Sequence, residues 1–125
     1  MKKTVSSCAL ALMLITGPAW ADDYHEVWEC TTRDGKTLED VQAVNSKWLA
    51  WMRENVDDEI SSAVLTAVVG DLTSFIFVDT YPGLDVWSEG KATQDGNEEM
   101  EALNVEFDAT AQCGQTPLWR HRPTP

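Results

Sequence analysis

Residues 62–81, SAVLTAVVGDLTSFIFVDTY, hold two apolar runs separated by Gly70-Asp71. In the second run Phe75, Phe77, Asp79 and Tyr81 alternate with Ser74, Ile76, Val78 and Thr80, so a strand over residues 73–81 has apolar groups on each side. The first run, residues 62–69, is short, nearly continuous and rich in β-branched side chains, which predicts a strand covered on both faces. One layer of helices covers only one face of a sheet. A second layer must come from elsewhere.

Upstream, residues 24–31 (YHEVWECT) alternate as a strand, with Tyr24, Glu26, Trp28 and Cys30 on one side. After the turn Arg33-Asp34-Gly35-Lys36, Thr37 and Asp40 form a capping-box pattern with Asp in place of Glu, opening a helix that runs to about Asn55. Its apolar stripe is Leu38, Val41, Trp48 and Met52, interrupted by Asn45. Downstream, Pro82-Gly83 ends the third strand, and residues 84–91 form a short helix carrying Val86 and Trp87 before the Asp95-Gly96 turn. Asn97 caps a second main helix, with Glu98, Glu99 and Glu101 at its positive end and Cys113-Gly114 closing it. Residues 118–121 make a last short strand. The order βαββαβ predicts an α+β, ferredoxin-like plait: an antiparallel four-stranded sheet with two main helices on one face. In its 4-1-3-2 strand order the last strand lies beside the first.

Residues 1–21 read as a secretory signal. Lys2 and Lys3 supply the charged start, residues 8–15 the apolar stretch, and Ala19-Trp20-Ala21 a small-x-small cleavage site. The apolar stretch is far shorter than the roughly 20 residues of a spanning helix, which argues against a membrane anchor. The expectation is a single α+β domain over residues 22–125, in the periplasm or secreted. Cleavage removes two of the nine basic residues and none of the 21 acidic ones, leaving a formal charge of −14. Such a surface repels phosphate backbones and anionic headgroups, so neither nucleic acid nor a membrane is an expected partner.

Cleavage also removes Cys8, leaving Cys30 and Cys113 as an even pair in an oxidising compartment, which reads as a disulfide. The competing reading, two free thiols in redox or metal chemistry, has no CxxC and no histidine at ligand spacing behind it. In the plait, Cys30 ends the first strand and Cys113 precedes the last, so both fall at one edge of the domain. No metal is expected.

The element order, the stretch Asp34-Gly35-Lys36-Thr37-Leu38-Glu39-Asp40 leading into Asn45-Ser46-Lys47-Trp48, and residues 82–87 before the last helix resemble the dimeric α+β barrel superfamily of antibiotic-biosynthesis-monooxygenase-like domains, in its secreted bacterial members of unassigned function. The resemblance implies a homodimer of two plaits packed sheet to sheet, which would supply the missing layer. Some members of that superfamily carry out cofactor-free oxygen chemistry. No cofactor is expected, and no catalytic residue carries over position by position.

Candidate site residues follow from anomalies in the pattern. Asn45 and Trp48, one turn apart, line a pocket if the amide orients a ligand and the indole stacks on it; otherwise Asn45 is a buried amide bonded to nearby backbone. Glu26 and Asp79 share strand sides with aromatics; if both sides face one enclosed space, their pKa values rise and suit them to acid–base work, and otherwise they stand at strand edges near solvent. Trp28 and Trp87 complete the candidate pocket wall, in a mature chain with five tryptophans. His25 and His121 approach each other if the first and last strands pair. Asp95, Asn97 and Glu99 lack the rest of a calcium loop and read as a turn and cap. The cluster Trp119-Arg120-His121-Arg122 is a basic patch on an acidic chain.

Three functions remain open: a domain binding a small apolar or aromatic ligand in an aromatic-lined pocket, a cofactor-independent enzyme of monooxygenase or isomerase type, and a structural dimeric module. A cavity of a few hundred cubic ångströms walled by Asn45, Trp48 or Asp79 favours the first two. A solid core favours the third.

Overall fold

Thr37 sets the start of the first helix. Its backbone is extended (φ −112°, ψ 166°), its Oγ1 accepts from the Asp40 N–H at 3.3 Å, and Asp40 Oδ2 accepts in return from the Thr37 N–H at 2.8 Å. The Thr37 N–H and then the Thr37 hydroxyl, both donating to Oδ2, hold the Asp40 carboxyl below its ordinary pKa. Asn97 starts another helix in the same way, its Oδ1 accepting from the N–H groups of Glu99 and Met100. The computed structural model describes residues 22–124, so the export pattern over residues 1–21 lies outside the described residues.

Among the described residues the order is β1 (Tyr24–Thr32), α1 (Leu38–Asn55), β2 (Ser61–Thr66), β3 (Ser74–Tyr81), α2 (Leu84–Gln94), α3 (Glu98–Thr110), β4 (Ala111–Cys113) and β5 (Leu118–Arg120). The strands form one antiparallel sheet ordered β2-β3-β1-β4, with β5 also paired to β1. This is the plait order expected, with the fourth position shared by two short strands. No described helix is long and apolar enough to cross a membrane.

Three boundaries differ from the sequence expectation. The second main helix ends at Thr110 rather than Cys113, because Ala111 turns extended (φ −140°, ψ 158°) and enters the sheet opposite Thr32. The Thr110 hydroxyl donates to the carbonyls of Glu106 and Phe107, satisfying groups a longer helix would have used. Residues 114–117 then follow β1 without regular pairing, held where the Gly114 N–H donates to Glu29 and the Thr116 hydroxyl to the Val27 carbonyl. The second strand stops at Thr66, leaving Val68 and Val69 90% and 91% exposed in the β2–β3 connection. Lying at the sheet edge, β2 is not covered on both faces within one chain, and Leu65 is 52% exposed. The short helix, α2, extends to Gln94.

The helices cover one face of the sheet. Two apolar clusters form there. One gathers Trp51, Met52, Ile60, Tyr81, Met100 and Leu103, and the other Cys30, Val41, Phe75, Phe77 and Ala111. Burial of side chains such as Met52 and Ile60 contributes about 1.5–3 kcal/mol each. Gly90 lets α2 approach closely, since a Cβ there would stand 2.9 Å from Met52 Cε. The opposite face presents His25, Val27, Ile76 and Val78, all half-buried, and Trp119, which is exposed.

Cys30 and Cys113 are register partners between β1 and β4 and form a disulfide across 83 residues. By the loop-entropy model this bond stabilises the fold by roughly 4–5 kcal/mol. Alkylation of the denatured protein without reductant should label neither Cys30 nor Cys113, and reduction should lower the unfolding free energy by that order. Labelling of both without reductant would refute the bond.

Candidate functional site

Between the two apolar clusters runs a polar row built by strand register. Glu26 on β1 lies opposite Asp79 on β3, and Asp79 lies opposite Ser62 on β2. All three therefore face the helices. Glu26 is 5% exposed and Asp79 7%, both well inside the fold rather than at a solvated strand edge.

Each member of this row has a partner. Asn45, on the helix stripe, donates from Nδ2 to Ser62 Oγ at 2.9 Å, and Ser62 Oγ donates to Asp79 Oδ1 at 2.5 Å. Of the two expectations for Asn45, the amide is buried but not backbone-bonded, and it lines the cleft. Its partner is a side chain, in a relay ending on a carboxylate. Lys91 Nζ on α2 sits 2.8 Å from each oxygen of Glu26, and the Tyr81 hydroxyl donates to Glu26 Oε2 at 3.3 Å.

Electrostatics divide the two carboxylates into different roles. Lys91 neutralises Glu26 directly. Asp79 has no cation in contact among the described residues, and its pKa is pushed up to about 6. Burial is the main cause, opposed by the Ser62 hydrogen bond; the Glu26 charge raises it further, and Lys91 and the Trp28 indole lower it. Burial, followed by the charges of Glu26 and Asp79, drives the Tyr81 phenol above its ordinary value.

This row floors a cleft of about 970 Å³ between the sheet and the helices. Five of the six sequence candidates, Glu26, Trp28, Asn45, Trp48 and Asp79, line it together with Phe77 and Phe107. Trp48 is fixed in orientation, its Nε1 donating to Gln94 Oε1 at 3.0 Å. Trp87 is not on the lining. It packs against the cluster around Met52 and Tyr81, its buried Nε1 finds no hydrogen-bond partner among the described residues, and Lys91 Nζ lies 6.0 Å from its ring centre.

Sequence reasoning missed Ser62 and Lys91. Ser62 was legible in principle, because extending the β2–β3 hairpin register places it across from Asp79. Lys91 carried no such signal, since only the packing of α2 on the sheet brings it to Glu26. Cys113 also reaches the cleft, from the disulfide. On the other face of the sheet, His25 and His121 approach to 5.9 Å between ring centres, and His25 Nδ1 lies 2.9 Å from Thr80 Oγ1. Among the described residues no three His, Cys, Asp or Glu side chains converge as a metal set.

No protein-family model matches the chain, and no curated protein matches it in sequence. Solved structures match its fold. It superposes on SnoaB, a cofactor-independent oxygenase from Streptomyces nogalater, with a TM-score of 0.61 at 12% identity, over 83% of this chain and 97% of that one. A NIPSNAP family protein of unknown function from Agrobacterium tumefaciens gives 0.60 at 9% identity, over 81% and 89%. A protein from Caulobacter crescentus, assigned by its name to the antibiotic biosynthesis monooxygenases, gives 0.56 at 10% identity, over 85% and 93%. The chain thus has a ferredoxin-like α+β fold, shared with SnoaB and with the Caulobacter crescentus protein.

Proposed function

We propose that this chain is an exported, homodimeric protein that binds a small aromatic molecule in the cleft between its sheet and helices. The carrying observation is the cleft itself: about 970 Å³, walled by Trp28, Trp48, Phe77 and Phe107 over a floor of satisfied polar groups. A purely structural module would fill that space with side chains. The sheet face opposite the helices supports the dimer, since no second layer among the described residues covers Val27, Ile76, Val78 and Trp119. The disulfide agrees with the oxidising compartment that the signal pattern over residues 1–21 implies.

A second reading, acid–base catalysis of the cofactor-independent oxygenase or isomerase type, is favoured by one observation. Asp79 is a buried carboxylate with a pKa near 6 that faces the cleft, with the Asn45–Ser62 relay holding one of its oxygens. In that reading its other oxygen takes a proton from the bound ring compound. SnoaB, of the same fold, is a cofactor-independent oxygenase, which lends the reading support.

Native mass spectrometry of the protein recovered from the periplasm tests the first reading at three points. The chain should begin at Asp22, the mass should be that of two chains, and a small molecule should be retained. A chain that is monomeric and empty would sink both the dimer and the binding reading. The state of Asp79 has its own check. Folded Asp79 holds its proton up to pH about 6, whereas the unfolded chain releases it near 3.8. Stability that Asp79 leaves intact at low pH is therefore lost as pH rises through 6, by on the order of 3 kcal/mol. Denaturant melts of wild type and Asp79→Asn should converge near pH 4 and diverge by pH 7, with the variant gaining relative to wild type. Parallel curves would show that Asp79 ionises normally.

A further inference from the structure

The cleft has a charge pattern that narrows what it holds. Its one lining cation among the described residues, Lys91, is committed to Glu26 at 2.8 Å. Asp79 is 7% exposed and faces the cleft, its Oδ1 accepting from Ser62 and the Trp28 indole lying beside the carboxylate as its other donor. At the exposed rim stand Asp95, Glu101 and Asp108, none of which forms an ion pair among the described residues. Arg33 lies beside Asp108 but donates to its backbone carbonyl, at 2.8 Å, rather than to its carboxylate.

We infer that the cleft takes an aromatic cation, a planar ring bearing an ammonium or amidinium group, with the ring against Trp28 and Trp48 and the positive group beside Asp79. The inference rests on the reading of the cleft as a ligand site. Indole faces attract cations, and a cleft with low-dielectric walls and one sign of charge concentrates ions of the opposite sign. A ring carrying a carboxylate would bring like charge to Asp79 and the acidic rim with no free base to meet it. A neutral ring would leave the ionised Asp79 without a counter-charge of its own, since Lys91 is paired with Glu26.

Proton linkage gives the idea a second signature. A cation beside Asp79 favours its ionised form, so binding releases a proton and tightens as pH rises through about 6. The other groups facing Asp79 are Glu26 on β1, Tyr81 on β3 and Lys91 on α2; α1 and β2 contribute only the neutral Asn45 and Ser62. Glu101 and Asp108 of α3, with Asp95, lie at the rim.

Isothermal titration with three indoles of similar size, tryptamine (cationic), 3-methylindole (neutral) and indole-3-acetate (anionic), tests this on the mature protein. Tryptamine should bind at least tenfold more tightly than either of the others at pH 7.5. That advantage should shrink at pH 5 and in high salt, and fall about tenfold in Asp79→Asn. Binding of the neutral or anionic indole as tight as that of tryptamine would overturn the inference and leave the ligand site standing. Tryptamine binding unaffected by Asp79→Asn would overturn it too, as adsorption to an acidic surface. If none of the three binds, the inference falls, and a ligand retained in native mass spectra decides whether the site reading falls with it.

Discussion

The antiparallel pairing of β1 with β3, in the register that sets Tyr24 against Tyr81 and Thr31 against Ser74, is the constraint from which the rest follows. Side chains alternate along a strand with a period of two, so a slip of β3 by one residue would turn Asp79 to the uncovered face and expose Phe75, Phe77 and Tyr81 with it. The register is held because the alternatives cost so much apolar burial. It puts the aromatic pairs Tyr24–Tyr81 and Trp28–Phe77 on either side of the two facing carboxylates.

That placement splits the hydrophobic core in two. Buried carboxylates side by side are costly unless one is neutralised. Lys91 does this for Glu26, while Asp79 keeps a proton at moderate acidity and borrows the Ser62 hydroxyl. The fold thus accepts a locally unfavourable row where filling the space with apolar side chains would be more stabilising. Such a sacrifice is more readily understood at a site than in a scaffold.

Much of this architecture is written in short-range pattern. The alternation in residues 24–31 and 73–81, the Thr37–Asp40 cap and the Asn97 cap all act within a few positions, so they are legible from the chain. Asn45 stood out because a polar group in an apolar stripe is a local contradiction. Its partner did not, because Ser62 meets it only through tertiary packing. Ala111 and Cys113 fit a helix face and a strand alike, and the choice was made by the open edge of β1, which residues 98–113 cannot announce on their own. Val68 and Val69 read as buried strand because composition does not reveal which strand ends up at the edge of the sheet.

The split fourth position has a bearing on how the molecule assembles. β1 is completed on one side by β3 and on the other by β4 and β5, whose residues follow it by as many as 96 positions, as in the Arg120 to Tyr24 contact. The hydrogen bonds along that second edge of β1 therefore wait for chain made long after it. Folding by this route is a whole-chain event with high contact order, slow to begin and hard to complete in pieces. Until residues 111–120 arrive, one edge of β1 stays open, and with it Cys30, ready to pair with the wrong strand or the wrong thiol.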